Sequence, residues 1–264
     1  MEVSNLTLTF DETVARLTLN RPDKLNSLND ETNGELFSAL DQVQNHPAAR
    51  VLILTGAGRA FCAGQDLADP AMQAHNGKLP DIGNVVEKNF KPLVMRLQNL
   101  RMPTIAAVNG VAAGGGASLA LACDIVVATK SAYFLQAFSR IGLSPDTGST
   151  WFLPQRLGMA RALALAILAE KLPASQAAEW GLIWQALDDD EFATGVDALA
   201  RRLAAMPTKA LVRTRQAMLN ATTNTLEQQL SLEASFVREL GWSDDYREGV
   251  EAFSAKRKPE FTGN

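Results

Sequence analysis

Cysteine, histidine and tyrosine are scarce in this 264-residue chain, at two residues each. Cys62 and Cys123 could form one disulfide at most. A chain of this length buries a core without a covalent staple, so reduced thiols in a cytoplasmic protein are expected. The two histidines, His46 and His75, are too few for a His-rich site, and no zinc-ligand spacing is present, so no metal is expected. Basic residues are not in excess. Lys plus Arg number 25 against 29 Asp plus Glu, a net charge of −4, which gives no general attraction for a nucleic-acid backbone. The first twenty residues, MEVSNLTLTFDETVARLTLN, are acidic and alternating, with no basic region leading into an apolar core, so no secretory signal is expected. The longest apolar stretch, Thr104–Thr129, competes as a membrane span. Asn109, four glycines, Ser118 and Asp124 interrupt it, and a strand, a glycine turn, a helix and a strand describe it better; no membrane partner is expected.

With 47% hydrophobic and 20% charged residues, what remains is an ordinary globular composition. Residues 5–10 and 14–20 alternate as a hairpin around Asp11-Glu12. Asn29 or Asp30 caps a helix running to about Asn45. Val51–Leu54 reads as a buried strand, 68–83 as a mobile loop that could act as a lid, 85–99 as a helix, and 104–108 as the next strand. Gly114-Gly115-Gly116 opens another helix, and 125–128 and 133–136 are short strands. Strand and helix succession means a sheet covered by helices. Beyond Asp146 the pattern turns mainly helical, with apolar stripes such as Leu226, Leu230, Ala234 and Val237 that need a surface to pack on. The organisation expected is an α/β core over residues 1–200 and a helical region over 201–264, without internal sequence repeats.

Four features could carry chemistry. The Gly114–Gly116 run can bring main-chain amides to a ligand at a helix N-terminus. A phosphate is one candidate ligand, but the run lacks both the Lys-Ser/Thr ending of a phosphate loop and dinucleotide-binding spacing. A developing oxyanion is the second, needing one or two aligned amides. Tight helix–strand packing explains the glycines equally well. The loop Phe61-Cys62-Ala63-Gly64-Gln65-Asp66-Leu67 could supply another amide. Cys62 is better read as packing than as a nucleophile, since no histidine lies near it. Asp146 is, on its own residues, first a helix N-cap and second a carboxylate raised by an apolar pocket into the range of a base. The basic end around Tyr246–Pro259 is either a solvated helix terminus or a phosphate contact.

Together these segments resemble the enoyl-CoA hydratase/isomerase, or crotonase, family. The landmarks run in order along nearly the whole chain: Leu19-Asn20-Arg21-Pro22 with Leu25-Asn26-Ser27-Leu28; Gly58 with Phe61–Leu67; Ala106–Gly110 into Gly114–Gly116; Leu121–Asp124; Ala177–Leu182; and Glu248-Gly249 with Phe253, Lys256, Arg257 and Pro259. The resemblance implies an α/β, crotonase-like spiral of ββα units, with a helical C-terminal region that makes a homotrimer or a dimer of trimers. It implies an acyl-CoA thioester as substrate, the CoA arriving with it, and no other cofactor. The Gln65 and Gly115 amides would hold the thioester oxygen. Lys24, Leu25, Ala63, Asp66, Leu67, Gly114 and Phe138 would contact the substrate, and Lys256 the CoA phosphates across a subunit boundary.

Two departures matter. Where hydratases of the family carry two water-handling glutamates, this chain has Ser118 and Phe138. Asp146 falls where the family's isomerases place their acidic residue, and this reverses the N-cap preference. Further segments, including Ala137-Phe138-Ser139, Pro145-Asp146 and Asp245–Val250, resemble a subfamily that isomerises ring-epoxide and 3-enoyl thioesters in bacterial phenylacetate degradation. Ser149 stands where that subfamily has glycine, which bears on pocket shape. Phe138, Leu143 and Trp151 are expected to keep water out. A rival on the same scaffold, an aroyl-CoA dehalogenase, needs a histidine where this chain has Lys91. A non-catalytic acyl-CoA-binding member of the family is a further alternative.

Overall fold

A computed structural model describes residues 5–264. Its spine is a six-stranded sheet in the order β1 (Leu6–Asp11), β2 (Val14–Leu19), β3 (Val51–Gly56), β5 (Thr104–Val108), β7 (Ile125–Thr129), β10 (Gln185–Leu187). Only the β1–β2 hairpin is antiparallel. A second sheet pairs β4 (Ala60–Cys62), β6 (Val111–Ala113), β8 (Tyr133–Leu135) and β9 (Lys171–Pro173). Each of β3, β5 and β7 thus sends its chain directly into a strand of the smaller sheet; helices return it after β4 and β6, and after β8 the chain passes through a long helix and β9 before it regains the large sheet at β10. These helices are α1 (Asp30–Asn45) after the hairpin, α2 (Ile82–Val85) and α3 (Lys91–Gln98) after β4, α4 (Gly115–Leu121) after β6, and α5 (Ser149–Leu168) after β8. The spiral of ββα units is therefore present. It repeats in geometry although no sequence repeat announces it.

The continuous apolar runs of β3 and β5 reflect burial on both faces. Leu52, Leu54, Ala106 and Val108 face α1 and α3 through Leu36, Leu40, Leu93 and Leu97. Val51, Ile53, Ile105 and Ala107 face the opposite way, onto Val196, Ala200, Leu203 and Ala204. Those last four belong to α7 (Phe192–Ala204), which follows α6 (Ala174–Glu179) and β10. Residue 201, where the helical region was expected to begin, lies inside α7. The chain ends with α8 (Thr208–Asn220), α9 (Leu226–Leu240) and α10 (Asp244–Ala255). The stretch 104–129 is divided among β5, β6, α4 and β7, and among the described residues no helix is long and apolar enough to cross a membrane.

Two helices differ from expectation. The helix expected from Val85 begins at Ile82 and widens into a π turn over Val86–Phe90 before α3. The helix expected from Ala160 begins at Ser149 and is broken at Gly158, whose φ of 71° interrupts it. Its first half contains Pro154, which obscures the helical pattern.

The buried Arg215 ties α8 to the sheet. Its guanidinium bonds Asp124 at 2.9 Å, the carbonyl of Met102 at 3.2 Å, and the carbonyl of Leu100. Asp124 also accepts the amide of Thr104 at 2.8 Å, so its carboxylate is taken up in holding the sheet to α8. Removing one member of a buried pair strands the other. Arg215→Met is expected to lower unfolding free energy by about 3 kcal/mol in a urea titration. A loss below about 1 kcal/mol would show that the pair contributes no more than a surface one.

Candidate active site

Two loops from neighbouring strands of the small sheet meet here. After β4 the chain makes one bridge to Leu28: the Leu28 amide donates to Gly64 O, and the Asp66 amide donates to Leu28 O, both at 2.8 Å. In an extended chain successive peptide groups alternate, so the intervening Gln65 amide points away from Leu28. After β6, α4 starts at Gly115, whose amide lies at the first helical position with no intrahelical acceptor. Among the described residues neither amide makes a hydrogen bond. Gly64 joins them. Its φ is +88°, and a Cβ there would stand 3.0 Å from the Gly115 nitrogen and 3.5 Å from the Gly116 nitrogen, so a side chain would intrude on the amides. At Gly116 a Cβ would come 2.2 Å from the carbonyl oxygen of Cys62, and at Gly115 one would come 3.2 Å from Phe90 and from the Thr147 hydroxyl, so close packing explains both glycines, and the amide of Gly115 is in addition open.

Gln65 and Gly115 line a cavity of about 150 Å³. Ala63, Leu67 and Gly114 continue their wall. Ala137, Phe138, Ile141 and Leu143 form another, and Asp146 closes it. A third wall comes from Met72, Ile82, Val85, Val86 and Phe90. The π turn adds a residue to the helical repeat and brings the adjacent Val85 and Val86 to the same cavity as Phe90. A regular helix would set neighbouring residues about 100° apart, so this wall carries no periodic signature in the sequence. Base of the loop and start of α1 are tied by Asp69, which accepts the amides of Asp30 and Ala71, both at 2.8 Å.

Asp146 is the only titratable residue among those lining the cavity. It does not cap α5: that position belongs to Gly148, and the Asp146 carboxylate takes no helix amide. Thr147 and Gly148, with φ of 54° and 83°, turn the chain sharply and leave the carboxyl at the cavity. Burial pushes that carboxyl above the ordinary carboxylate range, while a 2.6 Å bond from the Thr147 hydroxyl pulls it back down. Cys62 lies beneath the surface, and burial pushes its thiol up to about 12, which keeps it protonated and unreactive.

The other residues singled out fall at varied distances from this cavity. Phe138 is in its wall. Ser118 is fully buried within α4, bonding Gly114 O at 3.2 Å and the hydroxyl of Ser149; Ser149 bonds Gln136 at 3.1 Å. Ser149 therefore fills space behind the wall and does not shape it. Trp151 lines a separate groove near α8 and shields nothing here, in contrast to its expected role. The carbonyl of Leu25 accepts the Ala63 amide at 3.0 Å, so the Lys24-Leu25 segment runs beside the first loop without entering the cavity. Asp66 is held by Arg21 at 2.9 Å and by the Ala68 amide at 3.0 Å. Lys256 is exposed at the end of α10, outside the cavity, and its neighbour Arg257 is taken up by a two-point bond to Glu248 at 2.5 and 2.8 Å. Lys91 pairs with Glu87 at 2.7 Å, and no histidine lines the cavity, so the dehalogenase arrangement is not assembled. Sequence reading noted Thr147 only as half of an Asp146-Thr147 pair like that of the dehalogenases and gave it no part in isomerisation, although a hydroxyl next to the acid was the available signal. It also missed the Met72–Phe90 wall.

Comparison with known proteins supports the same resemblance. A protein named 1,2-epoxyphenylacetyl-CoA isomerase from Escherichia coli (strain K12) is 54% identical over 250 residues, 95% of each chain. One from Rhodobacter capsulatus, named "Probable enoyl-CoA hydratase", is 46% identical over 96% of each. The crystal structure of enoyl-CoA hydratase from Bacillus anthracis superposes with a TM-score of 0.92 at 30% identity, covering 99% of this chain and 100% of that one. With the family model for enoyl-CoA hydratase/isomerase matched across residues 9–264, the chain belongs to that family.

Proposed function

We propose that this protein is an acyl-CoA isomerase of phenylacetate degradation. It converts ring-1,2-epoxyphenylacetyl-CoA to oxepin-CoA and moves the double bond of 3-enoyl-CoA thioesters to the 2-position. The observation that carries this reading is a small apolar cavity with one carboxyl, Asp146, and two free amides, those of Gln65 and Gly115. The 54% identity to the named isomerase supports the same substrate class. Engineered apolar cavities of about 150 Å³ stay dry and bind benzene, so this one suits a single ring.

The chemistry follows from charge. Taking a proton from C2 of a 3-enoyl thioester leaves an enolate, and its charge gathers on the thioester oxygen. Two amides pointing at that oxygen stabilise the transition state; loss of one such donor costs about 3–4 kcal/mol in comparable sites. Asp146 accepts the C2 proton and returns it to C4, so the double bond moves to C2–C3 with no atom gained or lost. Phe138 and Ser118 offer no carboxyl to activate water, and the apolar walls keep water from the intermediate. Lys24, Leu25, Ala63, Asp66, Leu67 and Gly114 are proposed along the CoA channel. Lys256 is proposed to meet the CoA phosphates of a neighbouring subunit in a homotrimer or dimer of trimers. Exposed large apolar side chains on and between the last helices support assembly: Trp242 and Phe253 are 85% and 87% exposed, with Val237 and Val250 also open to solvent. The two buried, unpaired thiols fit a cytoplasmic setting.

Incubating a 3-enoyl-CoA with the enzyme in heavy water should give the 2-enoyl-CoA with no added water, and with deuterium only to the extent that the Asp146 carboxyl exchanges with solvent before it returns its proton, read by mass spectrometry. Product heavier by one water would return the protein to the hydratases.

Asp146→Asn should lower kcat at least hundredfold. The same variant should melt at a higher temperature at neutral pH. A buried carboxyl whose folded value is raised favours the fold while protonated, and that contribution disappears as pH rises through the raised value. The neutral amide removes this penalty. Wild-type turnover in Asp146→Asn would eliminate the assigned base, and an unchanged melting temperature would mean that its burial carries no penalty.

A further inference from the structure

Thr147 adopts a backbone conformation that β-branched residues avoid. Its φ is +54°, and its side chain is buried. Such strain persists only where the surroundings enforce it, and it gathers at functional sites. Here the result is specific. The Thr147 hydroxyl donates to Asp146 Oδ1 at 2.6 Å. It also lies against the glycine loop: a Cβ on Gly115 would stand 3.2 Å from Thr147 Oγ1 and 3.2 Å from the ring of Phe90. One hydroxyl therefore touches the carboxylate and abuts the residue that presents the second free amide. Thr147 itself does not line the cavity.

We propose that Thr147 is a positioning residue: its hydroxyl grips Oδ1 of Asp146, fixes the carboxylate against the Gly115 loop, and leaves Oδ2 to exchange the proton. This rests on Asp146 being the acid/base of the isomerase. Oδ2 makes no hydrogen bond among the described residues. The cavity-lining residues that face Asp146, from the Ala63–Leu67 loop, the π turn, the start of α4 and the Ala137–Leu143 turn, are uncharged; the charged members of those segments lie off the lining and are engaged elsewhere, Asp66 with Arg21, Glu87 with Lys91, Lys88 with Asp30 and Arg140 with the carbonyl of Ala169. Behind it stand only neutral hydroxyls, with Ser118 Oγ 3.4 Å from the Asp146 carbonyl. The Thr147 hydroxyl is thus the one polar group that favours the ionised carboxylate against burial, and a hydrogen bond to an ionised oxygen is about twice as strong as a neutral one.

Three variants test this. Thr147→Val keeps the shape and the branching but loses the hydroxyl. Thr147→Gly loses the hydroxyl and relieves the backbone, so it remains informative if Val fails to fold. Thr147→Ser keeps the hydroxyl. The pH dependence of 3-enoyl-CoA isomerisation and a ¹³C NMR titration of the Asp146 carboxyl would be followed in each full-length variant. In Val and Gly, the acid limb of kcat/KM and the carboxyl titration should both move to higher pH. Near pH 6, kcat should fall roughly tenfold with KM changed less than twofold. Ser should behave as wild type. Unmoved titration in Val and Gly would overturn the proposal. Activity retained in Asp146→Asn would instead overturn the base assignment, and the NMR titration would still report whether Thr147 holds the carboxylate.

Discussion

Two main-chain amides with nothing to bond are the constraint around which this protein is arranged. An unpaired buried N–H is unfavourable by a few kcal/mol, so a fold keeps a pair of them facing one space only if the backbone on either side is firmly held. Here β4 and β6 run parallel in the small sheet, so both loops leave from the same end. The first loop is clamped by Leu28 and by Arg21 on Asp66; the second by the Gly114 amide on Leu135 and the packing of Gly116 onto Cys62. The site is a consequence of where strands end, which is why ligands in such sheets gather there.

Around those amides the protein places apolar surface and a single acid. The two choices oppose one another. Apolar walls strengthen the amide dipoles by excluding water, yet they disfavour the ionised carboxylate that must take a proton. Thr147 offsets the second effect without weakening the first, because its hydroxyl is behind the wall and bonds only one carboxylate oxygen. Adding a lysine or arginine would hold the carboxylate more strongly, but it would lower its basicity further and draw water into the cavity.

Much of this was legible in the chain and some was not, for identifiable reasons. β3 and β5 showed as unbroken apolar runs because both faces are covered, and Asn29 showed as a cap because its side chain does accept the Thr32 amide. The glycine run showed a turn but could not tell an open amide from close packing; the structure contains both, close packing at Gly115 and Gly116 and the open amide at Gly115. Asp146 by itself read as a cap, and only its resemblance to family isomerases shifted that reading. The π turn left no trace, since Val85 and Val86 break the spacing a helical pattern depends on. The long reach from Arg215 in α8 to Asp124 between α4 and β7 was invisible for another reason: it joins residues 91 positions apart, and no local rule connects them.

The same scaffold supports hydration in relatives and, on the present reading, isomerisation here; the difference is where carboxyls stand and what fills the places they leave. At position 118 a serine shares its proton with Ser149 and through it with Gln136, a closed neutral set that offers water neither a base nor room. At 138 a phenylalanine ring occupies the wall. Removing both acids would leave the amides with an enolate and no proton donor. On the proposed reading Asp146 supplies one, from a turn built on left-handed backbone at Thr147 and Gly148. A reaction that adds water needs groups on the face where water arrives. A reaction that moves a proton between two carbons of one substrate needs one carboxyl and donors for the enolate oxygen, and on the proposed reading Asp146 with the Gln65 and Gly115 amides supplies that narrower set.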